Sequence, residues 1–194
     1  IKDATFHFTN DLFGNYGLVI ILPDHAKLKE QMQDIFRDDL LNQSASQVVD
    51  KTTRELGSAG YKIQANPREI NVFYLKDSIR ERIEKKDDRW RVVNTGISFT
   101  KEELLEELRS FPERFSPNVI LRGLYQETIL PNLAFIGGGG ETAYWLQYKD
   151  LFAHYQVPFP VLVLRNSFLI VENKWNQQIK ELGLSIEDFF LTED

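Results

Sequence analysis

Four consecutive glycines stand between a short apolar run and an aromatic-rich segment, and they constrain the fold more than any other feature. The apolar run spans residues 133–136 and the aromatic segment begins at Glu141. This order predicts a strand, a tight loop and a helix, which presents backbone N–H groups at a helix N-terminus. Because glycine is costly to order, the run predicts positive φ angles or a close approach by another backbone or a ligand. The glycines are Gly137, Gly138, Gly139 and Gly140.

Three interpretations of this glycine loop are open. It faces a ligand, it is a structural turn, or it is a dinucleotide fingerprint, because residues 138–143 satisfy G-x-G-x-x-A and Arg165 ends the next apolar run. No G-K-[ST] follows the glycines, which excludes a P-loop. Glu141 in the first helical turn favours the helix through its dipole but would repel a phosphate bound there.

Composition excludes several classes of protein. The 194 residues are 42% hydrophobic and 27% charged, which suits one globular domain or two small ones. The net charge of −6 argues against a broad nucleic-acid surface, and no apolar run approaches the ~18 residues of a membrane span. There is no signal-peptide pattern, so we expect a cytoplasmic protein without nucleic-acid or membrane partners. The absence of cysteine and the scatter of three histidines argue against a metal site or a thiolate nucleophile.

The first sixty residues alternate helical spacing with one continuous apolar run. A run bounded by glycine and proline is typical of a strand buried on both faces, and a helix–strand–helix order indicates an α/β layer. The predicted elements are a helix over residues 4–13, a strand over 17–22, a helix from the cap Asp24 to Leu41, and a helix opened by Ser44 or Ser46.

The pattern then changes to short alternating runs. Between residues 61 and 99 these runs predict an antiparallel meander with a turn at residues 86–88. Thr100 and Glu103 form the pattern of a capping box before the next helix. We therefore predict an α/β fold in which residues 1–60 and 100–194 form the core and residues 61–99 form an inserted small antiparallel β subdomain.

Polar residues of possible function lie on the next helix. Ser116 and Pro117 fit an N-cap followed by a proline at the first helical position, so a helix is expected to Leu130. It carries Arg122 and Gln126 on one face. They form either a fork for a carboxylate or phosphate, or a solvated polar pair.

A second polar group follows the glycine loop. The segment from Glu141 to residue 155 is apolar nearly all round and predicts a buried helix, and residues 158–164 predict a buried parallel strand. Ligands of open α/β sheets bind beyond the carboxyl ends of strands, which makes the residues after this strand candidates. An ion pair of Arg165 with Glu141 or Asp150 is the alternative. The candidates are Arg165, Asn166 and Ser167.

Five segments carry a resemblance to a known family: residues 11–20, 66–74, 115–122, 124–127 and 136–147. In the same order and over essentially the whole chain, they resemble the BshC family of bacillithiol-synthesis cysteine-adding enzymes. The family usually has Arg-Pro-Leu-Tyr-Gln-Glu, whereas Gly123 replaces the proline here and Arg122 is retained. This departure leaves the local backbone less constrained.

The resemblance implies a ligase that joins cysteine to glucosaminyl-malate in the last step of bacillithiol synthesis. It also implies a Rossmann-like core with insertions and a C-terminal coiled coil through which the enzyme forms a homodimer. The family's Gly-His-Gln and Glu-Asp-His-Asp motifs and its coiled coil are not in these residues. We therefore expect this chain to be a central piece of a longer enzyme and inactive alone.

Amide formation needs an activated acyl group, usually from ATP, and cationic or N–H groups that hold the leaving anion. The resemblance thus implies ATP for the complete enzyme, although no cofactor site is evident in this chain. The alternatives are an NADP-binding oxidoreductase domain and a non-catalytic structural or interface domain. The expected substrate-binding residues are Arg122, Gln126, Gly137, Gly138, Gly139, Gly140, Glu141, Arg165, Asn166 and Ser167.

Overall fold

A computed structural model describes residues 2–191, which fall into one unit ending at Leu164 and a second beginning at Arg165. The first unit contains eight α-helices within the described residues: α1 (Lys2–Phe13), α2 (Ala26–Glu30), α3 (Gln33–Asn42), α4 (Ser44–Ser58), α5 (Lys101–Ser110), α6 (Val119–Ile129), α7 (Gly139–Leu146) and α8 (Lys149–His154). It also contains two 3-10 helices, Gly14–Tyr16 and Pro112–Arg114. Its strands are β1 (Val72–Lys76), β2 (Ile79–Lys86), β3 (Arg89–Val92), β4 (Ser98–Phe99), β5 (Phe115–Pro117), β6 (Ala134–Gly137) and β7 (Val161–Leu164). The second unit contains α9 (Asn173–Glu181) and a 3-10 helix (Glu187–Phe190).

The predicted antiparallel meander is confirmed. Five strands pair in the order β4-β3-β2-β1-β5, and every neighbouring pair is antiparallel. Asp87 and Asp88 both have positive φ, 51° and 56°, as a tight turn between twisted strands requires. The apolar run at 63–65 forms no strand, and β5 joins the sheet from outside residues 61–99. The three-way division of the chain at residues 60 and 99 stays a prediction.

The strand, glycine loop and helix predicted around residue 137 are also confirmed. The strands β6 and β7 pair in parallel, with α7 and α8 between them, so this part is a βαβ unit and the fold is α/β. The predicted single helix is broken at Gln147, whose buried amide accepts from the backbone N–H groups of Gln64 and Ala65 and donates to the Ala65 carbonyl oxygen. These hydrogen bonds connect the segment before the meander to the βαβ unit.

Two predictions about burial and strand content are wrong. Residues 17–22 form no strand, because among the described residues no neighbouring strand pairs with them, and Val19 is exposed. The strand β7 is parallel but not buried, since a sheet of two strands leaves its outer face open. On that face Ile136 and Val161 are 67% and 66% exposed.

Two predicted helix starts are also corrected, and one is confirmed. The helix predicted from Asp24 is two helices, and His25 caps the first because its Nδ1 accepts from the Lys27 N–H at 3.3 Å. The helix predicted from Ser116 begins at Val119 instead, because Asn118 caps it and the two residues before Asn118 pair with β1. The capping box of Thr100 and Glu103 at α5 is confirmed.

The core is held together at α6 by a contact between a glycine and an aromatic ring. Gly123 is buried against Trp145, whose Cζ2 would lie only 3.0 Å from a Cβ at position 123. The Trp145 ring has little freedom to move, because it stacks on Phe135 with centroids 4.1 Å apart and also contacts Phe152. The helix can therefore approach α7 this closely only with glycine at position 123.

A buried polar network sets the start of α6. The Asp39 carboxylate on α3 accepts from the Asn71 backbone N–H at 2.6 Å and from its side-chain Nδ2 at 3.1 Å. The Asn71 side-chain oxygen accepts in turn from Asn118 Nδ2, and Asn118 Oδ1 caps α6 through the Ile120 N–H at 2.8 Å. This network joins α3, the start of the sheet and α6.

We predict that Gly123→Ala lowers the free energy of unfolding by about 1 kcal/mol. The overpacking against Trp145 costs about 1 to 3 kcal/mol, and the better helix propensity of alanine offsets about 1 kcal/mol of it. Gly57→Ala on α4 is the matched control, since a Cβ there meets only Ile63 at 3.9 Å, and it should raise the stability. Denaturant unfolding measures both variants, and equal stabilisation by both would contradict the packing argument.

The buried carboxyl of Asp39 should make stability fall with pH. Burial raises the pKa of Asp39 to about 7, although the Asn71 hydrogen bonds oppose the shift. Between about pH 4 and 7 the folded state therefore holds a proton that the unfolded state has lost, so the free energy of unfolding decreases as pH rises. Relative to Asp39→Asn, the wild type should lose up to about 1.4 kcal/mol per pH unit over this range. A stability difference that does not change with pH would contradict the prediction.

Candidate functional site

The helix α6 places two of the predicted site residues on one cavity. Arg122 and Gln126 lie one turn apart, and both line a cavity of about 420 Å³. The Tyr125 hydroxyl donates to the Pro23 carbonyl oxygen at 2.7 Å, which holds the segment before α2 against α6. The apolar run at 17–22, predicted as a strand, thereby contributes Val19 to the cavity wall instead.

The cavity carries more positive than negative charge. Lys29, Arg80 and Arg122 line it, together with the carboxylate of Asp24. The Arg80 guanidinium lies over the Phe73 ring, 4.1 Å from its centroid. The Arg80 and Arg122 guanidinium groups on the cavity wall are of the kind that binds a carboxylate or phosphate through two parallel hydrogen bonds.

Lys29 is the most buried of these cations, with 1% of its surface exposed. Its Nζ donates to the Phe115 carbonyl oxygen at 2.8 Å and lies 5.3 Å from the centre of the Tyr125 ring. Burial lowers the pKa of Lys29 to about 8, an effect that Asp24 opposes and Arg80 reinforces. The sequence interpretation missed this residue because its helix pattern is that of an ordinary amphipathic surface helix.

A buried carboxylate orients the amide groups of the site. Glu127 is buried, and its Oε1 accepts from Gln126 Nε2 at 3.2 Å and from Asn132 Nδ2 at 2.9 Å. Its Oε2 accepts from the Asn132 backbone N–H at 2.8 Å. Since Gln126 and Asn132 both line the cavity, Glu127 holds two of its polar walls in place.

Of the two explanations that the sequence offers for the glycine loop, positive φ angles and a close approach, the first does not apply, because none of its glycines is among the described residues with positive φ. A Cβ at Gly137 would lie 2.6 Å from the Phe135 ring, so the close approach there is by a side chain of its own strand. At Gly139 and Gly140 a Cβ would meet no atom of the described chain within 4 Å. Gly139 and Gly140 therefore border open space, and the ligand-facing and dinucleotide interpretations stay predictions.

Glu141 is engaged with the loop itself. Its Oε2 accepts from the Gly138 N–H at 3.0 Å, which satisfies one backbone donor at the start of α7. The pKa of Tyr144 is raised by burial and by Glu141 and lowered by Arg122. Because Tyr144 responds to both charges, the Arg122 side chain and the first turn of α7 lie within electrostatic reach of one phenol.

The cavity brings together only part of the predicted set. Its lining includes Arg122 and Gln126 but none of the four glycines or Glu141. Asp150 pairs with Lys51 at 3.7 Å. The remaining candidates are exposed, without regular secondary structure, at the start of the second unit: Arg165, Asn166 and Ser167.

Three lining residues were missed by the sequence interpretation: Lys29, Arg80 and Asn132. They come from α2, β2 and the loop after α6, and no sequence spacing links these elements. A cavity of about 330 Å³ beside β2 contains none of the predicted site residues. No group of three or more potential metal ligands occurs in the part of the chain that is described, and no helix there is long and apolar enough to cross a membrane.

Comparison with known proteins identifies the family. The family model described as "Bacillithiol biosynthesis BshC, N-terminal Rossmann-like domain" matches residues 1–166. Relatives from Christiangramia forsetii and Flavobacterium johnsoniae are 48% and 46% identical over 98% and 100% of this chain. A relative from Salinibacter ruber is 36% identical over 97% of it. Each bears the name "Putative cysteine ligase BshC".

The chain spans about 36% of the length of the two most similar of these relatives. The βαβ unit formed by β6, α7, α8 and β7 agrees with the Rossmann-like description, and the matched residues also contain the antiparallel sheet. The chain therefore belongs to the BshC family of bacillithiol biosynthesis, and its residues 1–166 match the N-terminal Rossmann-like domain of that family.

Proposed function

We propose that this chain is part of a ligase that joins cysteine to glucosaminyl-malate by an amide bond. The observation that carries the proposal is the cavity in which Lys29, Arg80 and Arg122 converge. The malyl group of the substrate carries carboxylates, and a carboxylate is the partner that a guanidinium binds in two parallel hydrogen bonds. The names of the relatives supply the reaction class.

In the proposed reaction the amine end of glucosaminyl-malate reacts, and its malyl end is held by the protein. The amine attacks the activated carboxyl carbon of cysteine, so a C–N bond forms, the bond to the leaving group breaks and the amine loses a proton. We propose that Arg122 and Gln126 hold the malyl carboxylates. Glu141, whose carboxylate acts on Tyr144 together with Arg122, favours the amine end over a second anion.

The glycine loop belongs to this proposal as the place where the ligand approaches the backbone. The open space beside Gly139 and Gly140 supports it. A nucleotide phosphate fits this loop poorly, because the Gly138 N–H already donates to Glu141 and that carboxylate would repel the phosphate. ATP is the proposed cosubstrate of the complete enzyme. The proposal also gives Arg165, Asn166 and Ser167 a role in substrate contact.

A second role is favoured by the outer face of the parallel sheet. Ile136, Val161 and Val163 are exposed there, although parallel strands are normally covered on both faces. We propose that this face packs against another part of a longer polypeptide, and that the chain alone is inactive. Cytoplasmic location and a homodimer formed through a coiled coil outside these residues complete the proposal.

We predict that Arg122→Ala weakens binding of glucosaminyl-malate about 10- to 100-fold. A hydrogen-bonded charge contributes about 1.5 to 3 kcal/mol, and each 1.4 kcal/mol is a factor of ten. Calorimetric titration of the chain measures the affinity, and Arg54→Ala on α4, an exposed arginine remote in sequence, is the control. Unchanged affinity would remove Arg122 from the site, and no binding by the wild type would place the substrate site outside these residues.

We predict that Gly139→Ala combined with Gly140→Ala preserves the fold but weakens glucosaminyl-malate binding at least tenfold. Neither Cβ meets a neighbour, and alanine favours a helix over glycine by up to about 1 kcal/mol at each position. Gly96→Ala, which also adds a Cβ in open space, is the matched control. Unfolding and titration of the same samples separate the two effects, and undiminished affinity would make the glycines a structural turn.

A further inference from the structure

The Lys29 ammonium has more hydrogen-bond donors than the described chain supplies acceptors. An ammonium has three N–H groups, and the Phe115 carbonyl oxygen is the one acceptor recorded for it within residues 2–191. The side chain is almost entirely buried, and it lines the cavity. A buried charge that lacks acceptors is costly, which makes the inner end of the cavity a place where an anion is stabilised.

We propose that Lys29 is a substrate-contacting residue: its ammonium, at the inner end of the cavity, binds a carboxylate of the ligand, and ligand binding takes up a proton there. This inference rests on the proposed function for the identity of the substrate. It goes further because it assigns one carboxylate of the ligand to the buried Lys29 and leaves the other to Arg122, which is exposed on the cavity wall. A ligand with two carboxylates satisfies both cations at once.

The charges around Lys29 decide the direction of proton transfer. Asp24 favours its charged form, whereas Arg80 and burial disfavour it, and the neutral Tyr125 ring lies beside it. The 3-10 helix Pro112–Arg114 packs against α2. Its Arg114 forms an ion pair with Glu107, at a distance of 2.6 Å. Since the pKa of Lys29 is about 8, a bound carboxylate should draw in up to roughly half a proton at pH 8.

The test is calorimetric titration at pH 8 in two buffers that differ in ionisation enthalpy, with glucosaminyl-malate and with free malate as probes. The wild type should take up protons on binding. Lys29→Met should weaken the binding of both probes about tenfold or more and abolish the uptake, while Lys27→Met, an exposed lysine of the same helix, should change neither. Denaturant unfolding verifies that each variant is folded, and the proton uptake of the wild type does not depend on any variant.

The outcomes separate this inference from the proposed function. If glucosaminyl-malate binds with proton uptake that Lys29→Met removes, both stand. If only malate binds, with the same dependence on Lys29, the anion contact stands and the proposed substrate fails. Equal affinity of wild type and Lys29→Met, or binding by the wild type without proton uptake, overturns the role of Lys29. If neither probe binds the wild type, the role of Lys29 is overturned and the substrate site lies outside these residues.

Discussion

The hydrogen bonds between Asp39 and Asn71 are the constraint on which the site depends. A carboxylate buried on α3 is costly unless its oxygens are paired, and Asn71 pairs both of them. The side-chain oxygen of Asn71 in turn accepts a hydrogen bond from Asn118, the residue that caps α6. The position of the start of α6 therefore depends on the contact between Asp39 and Asn71. Because Arg122 and Gln126 lie on the first three turns of α6, the geometry of the cavity follows from this network and from the close contact of Gly123 with Trp145.

The sequence predicts local structure here better than it predicts the site. The βαβ unit, the meander and the capping box of Thr100 follow from periodicity and turn chemistry, which act within a few residues. The start of α6 does not, because Ser116 and Pro117 have the composition of a helix start but pair with β1. Arg122 and Gln126 were found from their spacing on one helix. Lys29 and Arg80 were not, since only the tertiary fold brings α2 and β2 to the same cavity.

The four glycines of the loop are there for different structural reasons. Gly137 has no room for a Cβ beside Phe135, so its glycine is explained by packing. Gly138 uses its N–H to bind Glu141. Gly139 and Gly140 have room for a side chain and negative φ, so neither packing nor backbone strain accounts for them. The sequence cannot separate these cases, because the reason for each glycine lies in a neighbour that the local pattern does not specify.

Charge and apolar exposure point to different partners for different faces of the first unit. The chain as a whole is acidic, with a net charge of −6, yet cations line its cavity, so attraction of an anion depends on local geometry and not on the overall field. The outer face of β6 and β7 is apolar and uncharged, which offers nothing to a polar substrate but suits a protein surface. A cavity that selects a small anion and a sheet face that selects an apolar surface can therefore act in one enzyme, because neither kind of partner competes for the other's site.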